Sequence, residues 1–234
     1  MKLMSFNTQH CMNFLTKEID FPVMADAIRR CGADIVALNE MRAKGDRPGY
    51  EDQVPILSAL TGMKYHYFAE AIRFNGNPYG NGLLSKYPIR KAQTIPSPDP
   101  VSKAYSGYYE TRCLLKAALE DGITVLAVHF GLNPDEQINA VRTIVENLEA
   151  EKCILMGDFN LLPDDPVLQP IRERMTDTAD LFSAPLLSWP SDQPREKLDY
   201  IFVSPDIQVI RADIPAIVAS DHRPHTAEVD IPGA

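Results

Sequence analysis

The stretch that most constrains this chain is an apolar run from Cys153 to Met156 that stops at Gly157 and continues into Asp158 and Asn160. A continuous apolar run of this length is typical of a strand covered on both faces. Polar side chains at the end of such a strand lie where α/β sheets usually place their chemistry. Asp158 and Asn160 are two positions apart, so extended backbone points both to one side. The pair could hold a water and a phosphate oxygen; an Asx-rich turn is the alternative interpretation.

Other predicted strands also begin or end at polar residues. These residues are Asn7, Glu40, His129, Asp199, Asp221 and His222. Each one alone has an ordinary explanation, such as a turn residue, a surface acid or a structural histidine. A carboxylate that closes a buried strand, as Glu40 does, is costly unless it is paired. The whole set is rich in oxygen ligands and poor in thiolates, which favours Mg²⁺, with Mn²⁺ or Ca²⁺ as substitutes, over Zn²⁺.

Hydrophobic periodicity predicts alternating strands and helices along the chain. The helices are expected at 20–32, 52–60 and 134–150, the first with Asp20 as its cap and Gly32 at its end. Strands are expected at 2–7, 34–40, 64–69, 83–85, 110–119, 123–129, 153–160, 197–204, 207–214 and 226–229. The turn at Gly122 predicts a hairpin, so part of the sheet is antiparallel. Residues 72–82 and 96–109 are expected to be loops.

Composition limits the class of protein. The chain has 234 residues with 45% hydrophobic content, which suits one domain over 1–234. Its net charge of −9 argues against a protein that coats nucleic acid through a basic groove, but not against an enzyme that meets phosphates through a metal. There is no apolar run of the roughly 20 residues that cross a bilayer. Four widely spaced cysteines and no export signal lead us to expect a cytoplasmic protein with reduced thiols.

Several common catalytic motifs are missing from the sequence. It contains no HExxH helix, no P-loop glycine-lysine signature and no GxSxG elbow. A serine hydrolase and a nucleotide kinase are therefore disfavoured.

Taken in order, eight short segments resemble the endonuclease/exonuclease/phosphatase superfamily, the deoxyribonuclease I-like metal-dependent phosphoesterases. The segments are 5–7, 38–40, 79–85, 110–112, 128–130, 157–160, 198–201 and 220–222. Single segments are weak signals, whereas their joint order and spacing are specific. The resemblance implies a four-layer α/β/β/α sandwich: two packed mixed sheets with helices outside and the site at one end. Phe130 departs from the pattern, because leucine is more usual after the histidine.

The resemblance also implies a metal centre. Glu40 would be the primary Mg²⁺ ligand, with Asn7 and Asp221 nearby, partly through water. Arg112 and Asn81 would clamp a substrate phosphate, the arginine through its bidentate fork.

Proton-transfer roles follow from the same resemblance. Asp158 would orient or deprotonate the attacking water, assisted by Asn160. His129 would contact the phosphate and be held protonated by Asp199. His222 would lie opposite, as general base or as a stabiliser of the transition state. Attack on phosphorus is expected in line, without a covalent intermediate.

Three functions remain open on sequence alone. The first is a phosphoester hydrolase acting on a phosphodiester or phosphomonoester of a small molecule, nucleic-acid end or lipid headgroup. The second is a DNA or RNA nuclease, for which Tyr105, Tyr108 and Tyr109 would stack on bases; packing of their own loop is the alternative. The third is a catalytically silent binding module. The loops at 42–50, 72–81, 99–109 and 183–197 are expected to set the substrate.

Overall fold

The computed structural model of this chain describes residues 1–182 and 186–233. Two six-stranded sheets form its centre. The first contains, from edge to edge, β11 (Gln208–Asp213), β12 (His225–Asp230), β1 (Lys2–Asn7), β2 (Ile35–Arg42), β4 (Asn77–Ser85) and β3 (Tyr65–Phe74). The second contains β5 (Ile89–Pro96), β6 (Cys113–Leu119), β7 (Thr124–His129), β8 (Cys153–Asp158), β10 (Asp199–Val203) and β9 (Thr176–Asp177).

Both sheets are mixed. In the first sheet β1 and β2 are parallel, and in the second β7 and β8 are parallel, while the remaining described pairs are antiparallel. Each parallel pair is joined by a helix, as a parallel connection requires. These helices are α1 (Phe21–Cys31) and α3 (Pro134–Val145). The two sheets are therefore built around similar βαβ units.

Three hydrophobic layers hold the sandwich together. The middle layer lies between the sheets and includes Leu3, Leu115 and Met156. One outer layer packs α1 and α2 (Gln53–Thr61) onto the first sheet. The other packs α3 and the short α4 (Gln169–Arg172) onto the second sheet. This arrangement confirms the expected α/β/β/α sandwich.

The helix ends follow the sequence signals. Asp20 accepts a hydrogen bond from the Val23 backbone N–H at 3.1 Å, and Gly32 ends α1 with φ of 66°. Helix α3 ends at Val145, five residues before the predicted end, although its apolar stripe continues to Leu148.

The expected loop at 72–82 is wrong. Strands β3 and β4 form a hairpin across this segment, and Asn75 and Gly76 occupy its turn with φ of 47° and 84°. An Asn-Gly pair supplies the positive φ at both positions that a tight hairpin turn needs. Strand β5 (Ile89–Pro96) was also not predicted. Residues 183–185 of the expected substrate loop 183–197 lie outside the described residues.

None of the helices in the described residues has the length and apolar character to span a membrane.

Candidate active site

Strand register places three site residues side by side. His129 is paired with Asp158 across the parallel β7–β8 pair, and Asp199 is paired with Asp158 across the antiparallel β8–β10 pair. All three lie where the strands of the second sheet reach one end of the sandwich. The predicted clustering of His129, Asp158 and Asp199 is therefore a direct result of sheet pairing.

Gly157 permits the close strand spacing beside Asp158. Its φ is 155°, and a Cβ at this position would lie 2.0 Å from the Val128 carbonyl oxygen. Any side chain here would push β7 and β8 apart. The glycine that stops the apolar run is thus required by the approach of two backbones.

Glu40 reaches the site through a bulge in the first sheet. The register of β2 against β4 shifts between Leu38 and Met41, and Glu40 has φ of 60°. An extra residue in one strand bends it and re-aims its side chains. The Glu40 side chain, one-fifth exposed, consequently turns into the cleft while Asn39 remains fully buried.

Asn7 joins the carboxylates of the two sheets. Its Nδ2 donates to Glu40 Oε1 at 3.1 Å and to Asp158 Oδ2 at 3.0 Å. Its Oδ1 accepts from the Gln9 backbone N–H at 3.1 Å. Asn7 therefore lies beside Glu40 as expected, with its amide donors rather than its oxygen facing the carboxylate.

Asp158 is the centre of the constellation. Its Oδ1 accepts from the Asn160 backbone N–H at 2.9 Å. Its Oδ2 is 3.7 Å from Nε2 of His129 and 3.7 Å from Nε2 of His222. Burial raises the pKa of Asp158, and the Asp199 charge adds to this, while His222 opposes it. A carboxylate with a raised pKa is suited to accepting a proton near neutral pH.

Asp199 holds His222, and not His129 as expected. The distance from Asp199 Oδ2 to His222 Nδ1 is 2.8 Å. Burial opposes the charged ring, but Asp199 and then Asp158 outweigh it and raise the pKa of His222. The expectation that Asp199 keeps His129 protonated is therefore wrong, because β10 turns its carboxylate toward the loop before β12.

His129 is held neutral. Arg112 Nη1 donates to its Nδ1 at 3.0 Å, which leaves the proton on Nε2, the nitrogen facing Asp158. Burial, and then the positive charges of Arg112 and His222, hold the pKa of His129 well below its ordinary value. His129 can thus donate one hydrogen bond into the cleft without carrying charge.

The Arg112 side chain is positioned by an ion pair. It pairs with Glu110 and its side chain is 14% exposed. The guanidinium contacts His129, and its role as a phosphate clamp stays a prediction.

Asn81 and Asn160 are engaged with the protein. Asn81 is 2% exposed; its Nδ2 donates to the Cys113 carbonyl at 3.2 Å and its Oδ1 accepts from Asn39. It supports the layer beneath the site, in place of the expected phosphate contact. Asn160 donates from Nδ2 to the Phe130 carbonyl at 3.1 Å, while its backbone N–H holds Asp158.

The acidic groups suit a divalent cation at Glu40. Burial, and the like charge of Asp221, raise the pKa of Glu40, although Asn7 opposes this. A cation would compensate this buried charge, and the hard oxygen donors match Mg²⁺ or Mn²⁺. Among residues 1–182 and 186–233, no three His, Cys, Asp or Glu side chains enclose a metal position. The chain thus supplies few ligands, and such ions commonly complete their shell with water.

Two contributors to this site were not predicted from the sequence. His10 lies beside Glu40, with 3.4 Å between its Nδ1 and Oε2 of the glutamate. Asn39 lies beneath Glu40, is fully buried, and forms hydrogen bonds with β7 and β8 of the second sheet. A polar residue inside an apolar strand was a usable signal for Asn39, whereas nothing local distinguished His10.

The sequence model of the Endonuclease/Exonuclease/phosphatase family matches residues 4–222, so this chain belongs to that family. No curated relative matches the chain significantly.

Solved structures share the fold. An endonuclease/exonuclease/phosphatase from Beutenbergia cavernae superposes with a TM-score of 0.78 at 20% identity, covering 100% of this chain and 72% of its own. The mannosyl-6-phosphatase of Bacteroides thetaiotaomicron gives 0.75 at 15%, covering 99% and 100%. The human Nocturnin catalytic domain, with bound sulfate, gives 0.67 at 16%, covering 99% and 94%. At these identities the likeness establishes the fold alone.

Proposed function

We propose that this protein is a metal-dependent phosphoester hydrolase that acts by in-line attack of an activated water. The observation that carries the proposal is the position of Asp158 Oδ2, 3.7 Å from Nε2 of both His129 and His222 and bonded through Asn7 to Glu40. A proton acceptor, two imidazole donors and a buried metal-type carboxylate thus share one small region. This is the set of groups that phosphoryl-group hydrolysis needs.

Glu40, with Asp221 nearby, would hold the cation. When bound there, a divalent ion, Mg²⁺ or in its place Mn²⁺ or Ca²⁺, would neutralise phosphate oxygens and stabilise charge on the leaving oxygen. Asp158 orients the attacking water and accepts its proton, for which its raised pKa is suitable.

The two histidines take different roles. His129 donates from Nε2 to a phosphate oxygen as a neutral group, because Arg112 occupies its Nδ1. His222, held by Asp199 and favoured in its charged form, acts as a stabiliser of the transition state rather than as a general base. Arg112 adds a fixed positive charge to the same side of the substrate.

The substrate class is a small or terminal phosphoester. A net charge of −9 disfavours long nucleic acid, which is bound mainly through cationic groups. One fold neighbour is named a mannosyl-6-phosphatase, which places a terminal sugar phosphate in the test panel. The cytoplasmic location expected from the sequence stays a prediction.

A nuclease is the second candidate, and exposed tyrosines favour it. Tyr105 and Tyr108 are 50% and 60% exposed in the 97–112 loop, which leads to Arg112. Tyr109 instead donates its hydroxyl to Asp135 at 2.9 Å and fastens the loop. The two free rings offer surfaces on which bases could stack.

A metal-supplemented substrate panel tests the proposal. The protein is incubated with Mg²⁺ or Mn²⁺ and bis-p-nitrophenyl phosphate, p-nitrophenyl phosphate, a sugar 6-phosphate, sphingomyelin, plasmid or single-stranded oligonucleotide. Hydrolysis of a small ester that stops on addition of a chelator supports the proposal. Preferential cleavage of plasmid or oligonucleotide favours the nuclease. No turnover with any substrate and metal indicates a silent binding module.

Variants then assign the roles. Asp158→Asn and His222→Ala are expected to lower kcat by about 10²-fold or more, as for lost proton-transfer or charge-stabilising groups. Glu40→Ala is expected to move the Mg²⁺ activation midpoint to higher concentration. An unchanged midpoint would contradict the metal-ligand role of Glu40.

A further inference from the structure

The loop after β1 contains a strained left-handed turn. Gln9, His10 and Cys11 have φ of 47°, 54° and 62° in succession. The turn is closed by a hydrogen bond from the Met12 N–H to the Gln9 carbonyl at 2.9 Å. Left-handed backbone costs about 1–2 kcal/mol for each residue that carries a Cβ. Three such residues in a row need a compensating reason, and strain of this kind concentrates at functional sites.

Neighbouring groups hold the turn on both sides of His10. The His10 backbone N–H donates to the Glu40 carbonyl at 3.1 Å. Gln53 Nε2 donates to the His10 carbonyl at 2.8 Å. The backbone of His10 is thus fixed directly to the bulge that carries Glu40. The strained turn sets where the imidazole lies relative to that carboxylate.

The imidazole presents a free nitrogen to Glu40. Nδ1 of His10 lies 3.4 Å from Glu40 Oε2, and each side chain is about one-fifth exposed. Nδ1 is itself buried and has no hydrogen-bond partner among the described residues, and neither has Oε1 of the adjacent Gln9. The ring is backed by Tyr79 at a centroid distance of 5.9 Å. A buried nitrogen without a hydrogen-bond partner requires an explanation. Its position next to the Glu40 carboxylate makes its lone pair available to a metal ion.

The spacing suits two ligands of one ion. Donor atoms about 2.1 Å from a shared cation at angles of roughly 90–110° are about 3.0–3.4 Å apart. Nδ1 and Oε2 have this separation without any rearrangement of the turn. Both side chains are about one-fifth exposed, although the Nδ1 atom itself is buried.

We propose that His10 Nδ1 is a ligand of the divalent cation held by Glu40, and that the site therefore prefers Mn²⁺ or Co²⁺ to Mg²⁺. The inference rests on the proposed function, which places the cation at Glu40. Imidazole nitrogen suits transition ions, whereas Mg²⁺ takes oxygen donors and water. A nitrogen ligand would therefore add affinity for Mn²⁺ and Co²⁺ and little for Mg²⁺.

The test substitutes the nitrogen donor and leaves the turn in place. Asparagine adopts positive φ more readily than most residues, and its amide reaches about as far as Nδ1, so His10→Asn exchanges nitrogen for oxygen. His10→Ala removes the donor altogether. His66→Ala, at an exposed histidine on β3, is the matched control. Thermal unfolding in chelator confirms that each variant is folded before metal is added.

Two measurements follow, neither of which uses turnover. Calorimetric titration with Mn²⁺ and with Mg²⁺ gives the ratio of the two affinities. We expect both His10 variants to lower this ratio about tenfold or more, mainly through weaker Mn²⁺ binding, and His66→Ala to leave it unchanged. Electron spin echo spectroscopy of the Mn²⁺-loaded protein should show a directly bound ¹⁴N nucleus that is lost in His10→Asn.

The outcomes separate this inference from the proposed function. If the protein binds the ions and hydrolyses the panel esters, but His10→Asn keeps the Mn²⁺ to Mg²⁺ ratio and the nitrogen signal, the ligand role of His10 is overturned and the hydrolase stands. If the unsubstituted protein binds neither ion and hydrolyses nothing, both are overturned. If a His10 variant does not fold, the nitrogen signal of the remaining folded variant decides.

Discussion

Asn39 and Asp158 lie on different sheets, yet Oδ1 of Asn39 accepts a hydrogen bond from the Asp158 backbone N–H at 3.0 Å. Nδ2 of Asn39 also donates to the Val128 carbonyl at 2.6 Å and to Asn81 Oδ1 at 2.9 Å. The residue directly before Glu40 is therefore tied to the strands that carry His129 and Asp158. This side chain sets the relative position of Glu40, the proposed metal ligand, and Asp158, the proposed base.

Replacing Asn39 by leucine should be strongly destabilising. The change leaves the Asp158 N–H, the Val128 carbonyl and Asn81 without their partner in a fully buried position. We expect a loss of about 3 kcal/mol or more in the free energy of unfolding, measured by urea titration. Asn147→Leu, at a half-buried position in the turn after α3, is the control and should cost less. Equal losses in the two variants would contradict the bridging role of Asn39.

Asp199→Asn should lower turnover without unfolding the protein. The amide keeps the shape of the side chain but removes the charge that favours protonated His222. We expect kcat to fall by about 10²-fold, with a much smaller change in KM. The matched control is Asp26→Asn on the exposed face of α1, where the carboxylate is 54% exposed. A kcat within threefold of the unsubstituted protein would show that the Asp199–His222 pair does not serve catalysis.

Gly157→Ala should be far more damaging than Gly62→Ala. Its Cβ would lie 2.0 Å from the Val128 carbonyl oxygen, which is backbone and cannot move aside alone. At Gly62, with φ of 73°, a Cβ meets nothing within 4 Å. Gly62→Ala therefore reports the conformational cost alone, about 1 kcal/mol. A Tm loss for Gly157→Ala no larger than that for Gly62→Ala would contradict the steric argument.

Stability should fall on acidification, partly through His225. This residue is fully buried, its Nδ1 donates to the Asp199 carbonyl at 3.1 Å, and burial lowers its pKa from 6.5 to about 4. Below pH 6.5 the unfolded chain binds a proton that the folded protein does not. The stabilisation is thus complete above pH 6.5 and is lost as the pH falls toward 4.

Urea titration at pH 7.5 and pH 5 measures this effect. A shift of this size corresponds to about 2 kcal/mol over that interval. His225→Asn should reduce the fall in stability by a similar amount, whereas His66→Asn, at an exposed position, should not. The same fall in all three proteins would assign the acid sensitivity to other groups.

The strand ends were predictable because chemistry and periodicity coincide there. Glu40 and Asp158 each close an apolar run, and both lie in the site. The partner of Asp199 was not predictable from the sequence, because His129 and His222 both lie at the same end of the sandwich. Only the twist and register of β10 decide which of them the carboxylate meets. Local sequence contains no information on which side of a neighbouring strand a carboxylate will turn.

The hairpin of β3 and β4 shows a second limit. Every residue of β4 is buried, although its sequence contains asparagine, proline and glycine, which are rare in strands. Burial between β2 and β3 outweighed these propensities. His10 was missed for a related reason. Its place beside Glu40 depends on three successive left-handed residues, and none of them is a glycine or asparagine whose type would signal that backbone.

The division of the site between two sheets has a practical consequence. Glu40 belongs to one sheet of the sandwich and Asp158 to the other. Asn7 and Asn39 form hydrogen bonds across the interface between the two sheets. A small shift of one sheet relative to the other would separate the two carboxylates while every strand and helix stayed intact. Turnover would then be lost before the circular dichroism spectrum changed. An activity assay would therefore report on the relative position of the two sheets.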